Sequence, residues 1–559
     1  MRKGSLKYAL LLTFIMFYGC IYSQLLDGEK VAFTHDDSLR GGLRPERTCY
    51  DVTFYDLNVK VDIASKSISG YNTLYFTANT PFDRLQIDLF QNMIIDKIEH
   101  NEIPLLYERD GNAVFIAMDR TIKPKEKDKI RVVYHGVPNQ AKRAPWDGGF
   151  VWAKDDENKD WVAVACEGTG ASLWWPCKDE LSDEPDSMKI TCTYPVDLFF
   201  VGNGSLLSDS KNTDATRTTT WKVSYPINNY NVTLNIGNYV HFSDSYTSNE
   251  ISTDLSLDYY VMPYNLEQAK KHFKQVKPMM ACYEKYFGPY PFWNDGYALV
   301  ETPYLGMEHQ GAIAYGNKYK TGYNGRDFSG IGLDFDYIII HESGHEWWGN
   351  SVSCKDIADL WIHEGFCTYA ESIYVEELFG KKKAQDYINA KKKSVANKAP
   401  IQGKYGVNSE GAGDMYNKSC LFLNTLRTFI NNDSLWFGMI HDFSAKTFKT
   451  KNIDYNDVVR YFETKSRKSL RPLFDQYLKQ AEIPTLVYKI EDKNKFMKTI
   501  YYKWKADAPN FQMRFYYSIN GKNDYATAST NWSSFDVRVR KVKKFVVNEE
   551  KMYINIQKI

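Results

Sequence analysis

His341-Glu342-Ser343-Gly344-His345, followed after eighteen intervening residues by Glu364, is the feature that most narrows what this chain can fold into. Two imidazoles four residues apart project from one face of a helix and can reach a single ion. Glu342 lies on a neighbouring line of that helix, placed to take a proton from water rather than to bind the ion. Glu364, between His363 and Gly365, falls in a second stretch of helical period, DLWIHEGFCTYAESIYVEEL. Two imidazoles and one carboxylate leave the fourth tetrahedral position to water, the layout of a catalytic zinc site and not of a closed structural one. The run DFDYIII predicts a buried helix leading into the motif. A helix that turns two His and a Glu inward needs a partner for them, and one zinc ion supplies it. The bland alternative, polar groups on a solvated helix face, explains less.

A chain of 559 residues is too long for one core, so about three domains are expected. Lys and Arg number 70 against 69 Asp and Glu, which gives no electrostatic case for nucleic acid or an anionic membrane. The N-terminus, MRKGSLK followed by YALLLTFIMFYGC and IYSQ, has the basic head and short apolar run of a secretory signal, residues 1–23. Export to the periplasm, cell surface or medium is therefore expected. Processing has two routes, the favoured cleavage after Ser23 or lipid attachment at Cys20; no other stretch is apolar enough to span a bilayer. The remaining eight cysteines form no C-x-x-C pair and read as small buried residues. Cys367, three residues after Glu364, reads as a packing residue and not a ligand.

After a polar leader, 24–45, residues 46–245 alternate in strand fashion, as in CYDVTFYDLNVKVDIASKSISGYNTLYFTA. Within them CEGTGASLWWPCKDELSDEPDS reads either as a loop brought to a functional cleft or as a solvated acidic loop with Trp174 and Trp175 in the core. From 246 to 482 the pattern becomes mostly helical. NLEQAKKHFKQVKPMMACYEKYFG is expected to break or kink at Pro278, and EELFGKKKAQDYINAKKKSVANK to form a charged helix with a solvated lysine face. YNKSCLFLNTLRTFI predicts an amphipathic helix with Tyr416 at its start. Residues 483–559 return to strands, with Asn520-Gly521 as a hairpin turn. The fold class is α+β multidomain.

GMEHQ at 306–310, HESGHEWWGN at 341–350, WIHEGF at 361–366 and YNKS at 416–419, with EGTGASLWWPCKDE as a weaker fifth motif, resemble the aminopeptidase N family of zinc exopeptidases. The resemblance covers nearly all of the chain after the leader. It implies an N-terminal β saddle, a thermolysin-like, mostly α catalytic domain and a small C-terminal β-sandwich, without the large helical superhelix of many members. It implies one zinc ion held by His341, His345 and Glu364, with Glu342 as general base and Tyr416 stabilising the tetrahedral intermediate. Gly306, Met307 and Glu308 would bind the substrate, Glu308 gripping its free amine, with Glu167 as a second amine-binding acid and Glu371 orienting a ligand His. Leu305, His309 and Ser419 depart from the family pattern, and so does the Ser343-Gly344 pair. Gly344 costs about 1 kcal/mol relative to Ala in a helix interior.

The expected partners are peptides with a free N-terminus. Two acids at the amine position suit removal of the first residue. A thermolysin-like endopeptidase would share the zinc site but have no use for them. A catalytically inactive peptide-binding scaffold would tolerate loss of Glu342 or Tyr416, and both are present. An epoxide hydrolase activity rests on family analogy alone. Without the superhelix the cleft is expected to be open, with little restriction on substrate length.

Overall fold

The computed structural model describes residues 33–538 and 544–559; the expected signal, with Cys20 and Ser23, lies outside them. The alternating stretch after Tyr50 builds an eight-stranded sheet centred on Tyr50–Asp62, which pairs antiparallel with Ser67–Ala78 and parallel with Ser187–Pro195. A three-stranded and a four-stranded sheet complete this β domain around one core. The Gly- and Trp-rich stretch after Cys166 combines both of its readings. Trp174 and Trp175 are fully buried, while the acids behind them are not solvated: Asp179 and Asp183 are buried too.

Val240–Tyr246, within the span expected for the first domain, pairs instead with Leu255–Val261 in a five-stranded sheet. In that sheet Leu255–Val261, Tyr297–Glu301 and Ile313–Tyr315 run parallel, and Gly306–Met307 is the antiparallel edge. The helical break expected at Pro278 lies earlier, in the 3-10 turn Phe273–Gln275; Pro278 sits in the first turn of Val276–Phe287, where its missing N–H costs nothing.

Four helices carry the rest of the argument: α1 (Tyr337–Gly344), α2 (Trp361–Phe379), α3 (Lys381–Lys391) and α4 (Met415–Ile430). The run DFDYIII is helical only from Tyr337, because the Asp336 carboxylate accepts from the amides of Ile338 and Ile339 and caps α1 there. The charged helix expected across Gly380 is two helices; Gly380, at φ 90°, ends α2 and starts α3. The C-terminal strands form a four-stranded and a three-stranded sheet, with Gln512–Ile519 and Lys522–Ser529 joined at Asn520-Gly521. The architecture is the expected α+β arrangement. The eight described cysteines are all buried and unpaired.

Candidate metal centre and substrate cleft

α1 and α2 are fully buried where they meet, and they bring three side chains to one point. His341 Nε2 and His345 Nε2 lie 3.3 Å apart, and each is 3.6 Å from Glu364 Oε2. A tetrahedral ion with ligand bonds of 2.0–2.2 Å requires edges of about 3.3–3.6 Å. The other ring nitrogens fix the tautomers. His341 Nδ1 donates to Glu371 Oε1 at 2.7 Å, and His345 Nδ1 to the Trp348 carbonyl at 2.9 Å. Both Nε2 atoms therefore present lone pairs toward a carboxylate oxygen that is buried without a hydrogen-bond partner. Three acceptors facing one another need a cation, and the donor set fits one divalent ion.

The electrostatics agree. Burial alone would lower the His341 pKa, yet Cys367, Glu364 and Glu371 hold it well above the usual imidazole range. His345, by contrast, is pushed down to about 4 by burial and by His341, against the pull of Glu364. The negative charge that favours a proton on His341 is charge that a divalent ion would compensate instead. Cys367 is not a competing ligand. Its thiol donates to the His341 carbonyl at 2.9 Å and lies 3.8 Å from Nδ1, the wrong nitrogen. Burial pushes that thiol up to about 12.

Glu371 is itself anchored. Tyr387 donates to its Oε2 at 2.6 Å and Lys391 at 2.8 Å, both from α3. Burial would raise its pKa, but Lys391 and His341 bring it down to about 2. Lys391, expected on a solvated face, is thus drawn inward, its side chain only 11% exposed.

Gly306 explains how the edge strand joins this centre. A Cβ there would lie 2.8 Å from Glu342 Oε1 and 2.8 Å from Ile338 Cγ2, so a larger residue would displace the Glu342 carboxylate or Ile338. Glu308 follows two residues later, and its carboxylate lies within 4.8 Å of Glu342 and His345 ligand atoms and, separately, of Glu167 and Glu364. Burial pushes the Glu342 carboxyl up to about 8, against His341 and helped by Glu308, Glu364 and Glu371. A divalent cation nearby pulls it back down.

Carboxylate oxygens of Glu167 and Glu308 lie within 4.8 Å of one another. Burial, then Glu308, Glu364, Glu410 and Glu342, hold Glu167 well above the carboxylate range, and its Oε1 is buried without a partner. The Tyr416 ring stacks beside His341 with centroids 6.3 Å apart, and burial and four glutamates keep its phenol protonated.

His341, His345, Glu364, Glu342, Glu308 and Glu167 lie together here, with Gly306 against Glu342 and the Tyr416 ring beside His341, whereas Met307 is buried in the edge strand as part of the β-domain core. Sequence reasoning missed several of their neighbours. Tyr230 donates to Glu308 Oε1 at 3.2 Å, and Asn350 Nδ2 to the Glu308 carbonyl at 2.9 Å. Asn231 Nδ2 in turn donates to Asn350 Oδ1 at 2.8 Å, linking the β domain to the turn after α1. Asn350 stands inside the quoted motif HESGHEWWGN, whereas Tyr230 lies in a segment read as ordinary strand and carried no signal. Of the departures from the motifs, His309 is buried and neutral, pushed down to about 3, with neither ring nitrogen partnered. Ser419 packs between α4 and Gly365 of α2.

Two family models match the chain: the Peptidase M1 N-terminal domain over residues 52–230 and the Peptidase family M1 domain over 271–477. Among curated relatives, mouse endoplasmic reticulum aminopeptidase 1 is 26% identical over 35% of this chain and 22% of its own length. Pig glutamyl aminopeptidase is 22% identical over 77% of this chain and 47% of its own. The chain thus spans less than half the length of these relatives. Among solved structures, the M1 zinc metallopeptidase of Deinococcus radiodurans superposes with a TM-score of 0.66 at 19% identity, covering 78% of this chain and 94% of that one. A mutant of it bound to a Tyr-Ser-Ala substrate gives 0.64 at 19%, covering 78% and 95%.

Proposed function

The chain belongs to peptidase family M1, and on that premise we propose that it is a zinc aminopeptidase that removes the first residue from peptides with a free N-terminus. The observation that carries the reading is the convergence of His341, His345 and Glu364 at 3.3–3.6 Å beside two acids, Glu308 and Glu167, that have no Lys or Arg partner among the described residues.

His341, His345 and Glu364 would hold the ion. A bound zinc lowers the pKa of water to about 7 and polarises a carbonyl. Glu342 would take the proton of the attacking water and deliver it to the leaving amine. The Tyr416 hydroxyl donates to the carbonyl oxygen as charge develops, an interaction worth about 3 kcal/mol. Glu308 and Glu167 pair with the substrate's ammonium, which supplies the positive charge their close approach calls for. Glu371, fixed by Lys391 and Tyr387, holds the His341 ring in its binding tautomer. We place the protein outside the cytoplasm on the strength of the leader pattern in residues 1–23.

The test is one peptide offered with a free and with an acetylated N-terminus to the zinc-loaded protein. Loss of the first residue from the free form only is the expected result. Internal cleavage of both forms would leave the metal chemistry and remove the aminopeptidase reading; cleavage of neither, across varied first residues, would favour an inactive peptide-binding scaffold.

A further inference from the structure

The short helix His35–Gly41 lies outside both matched segments and reads in the sequence only as polar leader. In the fold it is attached on two sides. Toward the β domain, Leu39 packs with Ala113 and Phe115, Gln86 Nε2 donates to the Leu39 carbonyl at 3.2 Å, and Arg47 Nη1 donates to the Arg40 carbonyl at 2.8 Å. Toward the catalytic domain it meets the loop that leads into α4. The Asn408 amide donates to the Asp37 carbonyl at 2.9 Å, and a Cβ on Gly41 would lie 2.1 Å from the Val407 carbonyl carbon.

Between these attachments Arg40 reaches the loop that follows Glu167. Its Nη1 donates to the Gly168 carbonyl at 2.7 Å, and its Nε faces Asp179 Oδ2 at 3.6 Å. Asp179 accepts from the amides of Ala171 and Ser172 in the same loop. Gly168 directly follows Glu167, and Asn408 stands two residues before Glu410. One seven-residue helix therefore ties down both the loop that presents Glu167 and the loop that presents Glu410.

We propose that the segment 33–44 is a clasp across the amine end of the cleft, and that Arg40 is the positioning residue that sets Glu167 for the first residue of a peptide. This rests on the aminopeptidase reading above. A carboxylate on an irregular loop grips an ammonium well only if the loop is ordered beforehand; otherwise binding must supply the ordering. The charged fork of Arg40 on a backbone carbonyl supplies that order at the residue next to Glu167. The clasp also joins the two walls behind the amine, so discrimination against a blocked N-terminus depends on it.

Two variants test this, with Leu39, Gln86 and Arg47 left to hold the segment. Arg40→Ala removes the contact to Gly168; Gly41→Ala wedges the helix off Val407. Backbone hydrogen exchange and peptide kinetics are read on both. Arg40→Ala is expected to speed exchange at Gly168–Ser172, to raise KM for a free-amine peptide about five- to tenfold with a smaller change in kcat, and to narrow the preference over the acetylated peptide. Arg40→Lys should restore part of the KM. Gly41→Ala should speed exchange at Val407 and Asn408 and at Gly168–Ser172 together. If Gly41→Ala loosens only Val407 and Asn408, or if Arg40→Ala leaves KM unchanged while the wild type strips free-amine peptides, the clasp is overturned and the aminopeptidase reading stands. If the wild type itself shows no preference for a free amine, that reading fails, and the coupled exchange alone decides whether the clasp exists.

Discussion

Two clusters of buried charge lie a short way apart in this molecule, and they are built on opposite principles. In the β domain Asp88, Asp179, Glu180 and Asp183 each face a cation of the chain itself: Arg47, Arg40 or Lys178. In the cleft Glu167, Glu308, Glu342 and Glu364 face no Lys or Arg among the described residues; of the acids at the metal centre only Glu371 has one, Lys391. The first cluster is complete as folded and fastens strands, loop and clasp together. The second is a deficit of positive charge, held in place by burial, that in the proposed reading a metal ion and a substrate ammonium would make good. The difference separates charge used as structure from charge used as a binding site.

That contrast can be broken most sharply at Glu342. Glu342→Gln should cut turnover about a thousandfold while the purified protein retains its zinc, measured as metal content beside kcat. A variant that lost the metal as well would make Glu342 part of the ion's support and blur the distinction drawn here. In the closed cluster the largest effect should be on stability. Arg47→Met strands Asp88, and about 3–5 kcal/mol of unfolding free energy should go, read from denaturant curves. A neutral result would mean that the cluster is not structural.

Lys391→Met tests the bridge between the two principles, since it removes the one cation serving the metal centre. Zinc affinity should fall about 10- to 100-fold by chelator competition. Unchanged affinity would make Lys391 a packing residue of α3. The smallest expected effect is at Tyr230. Tyr230→Phe removes one hydrogen bond to Glu308, and KM should rise tenfold or less while kcat holds. An equal fall in kcat would instead assign Tyr230 a part in the reaction step.

Sequence pattern reaches the open cluster far better than the closed one, for a physical reason. His341, His345 and Glu364 must sit at helical spacings to share an ion, so the chemistry prints itself as a local motif. Arg47, in the short helix Pro45–Thr48, meets Asp88, at the end of the strand Phe82–Asp88, 41 residues on, and no local spacing encodes that contact. The same holds for Tyr230, which reaches Glu308 over 78 residues. The lysines of α3 look alike in sequence; only the fold separates Lys391, which turns in to Glu371, from Lys382, which pairs with Asp386 at the surface. The start of α1 differs from the expectation because an apolar run says where a helix is buried and not where its cap lies; Asp336 decides that.

The contact of Gly306 with Glu342 has a metric consequence. It sets the strand that presents Glu308 directly against the Glu342 carboxylate and an Ile338 methyl, with no Cβ of its own in between. In the proposed reading, the acids and the metal centre would together act as a gauge whose span is one α-amino acid, from ammonium to carbonyl carbon. A first residue with one more backbone carbon, such as β-alanine, is longer than the gauge. Peptides that begin with it should be bound and left intact.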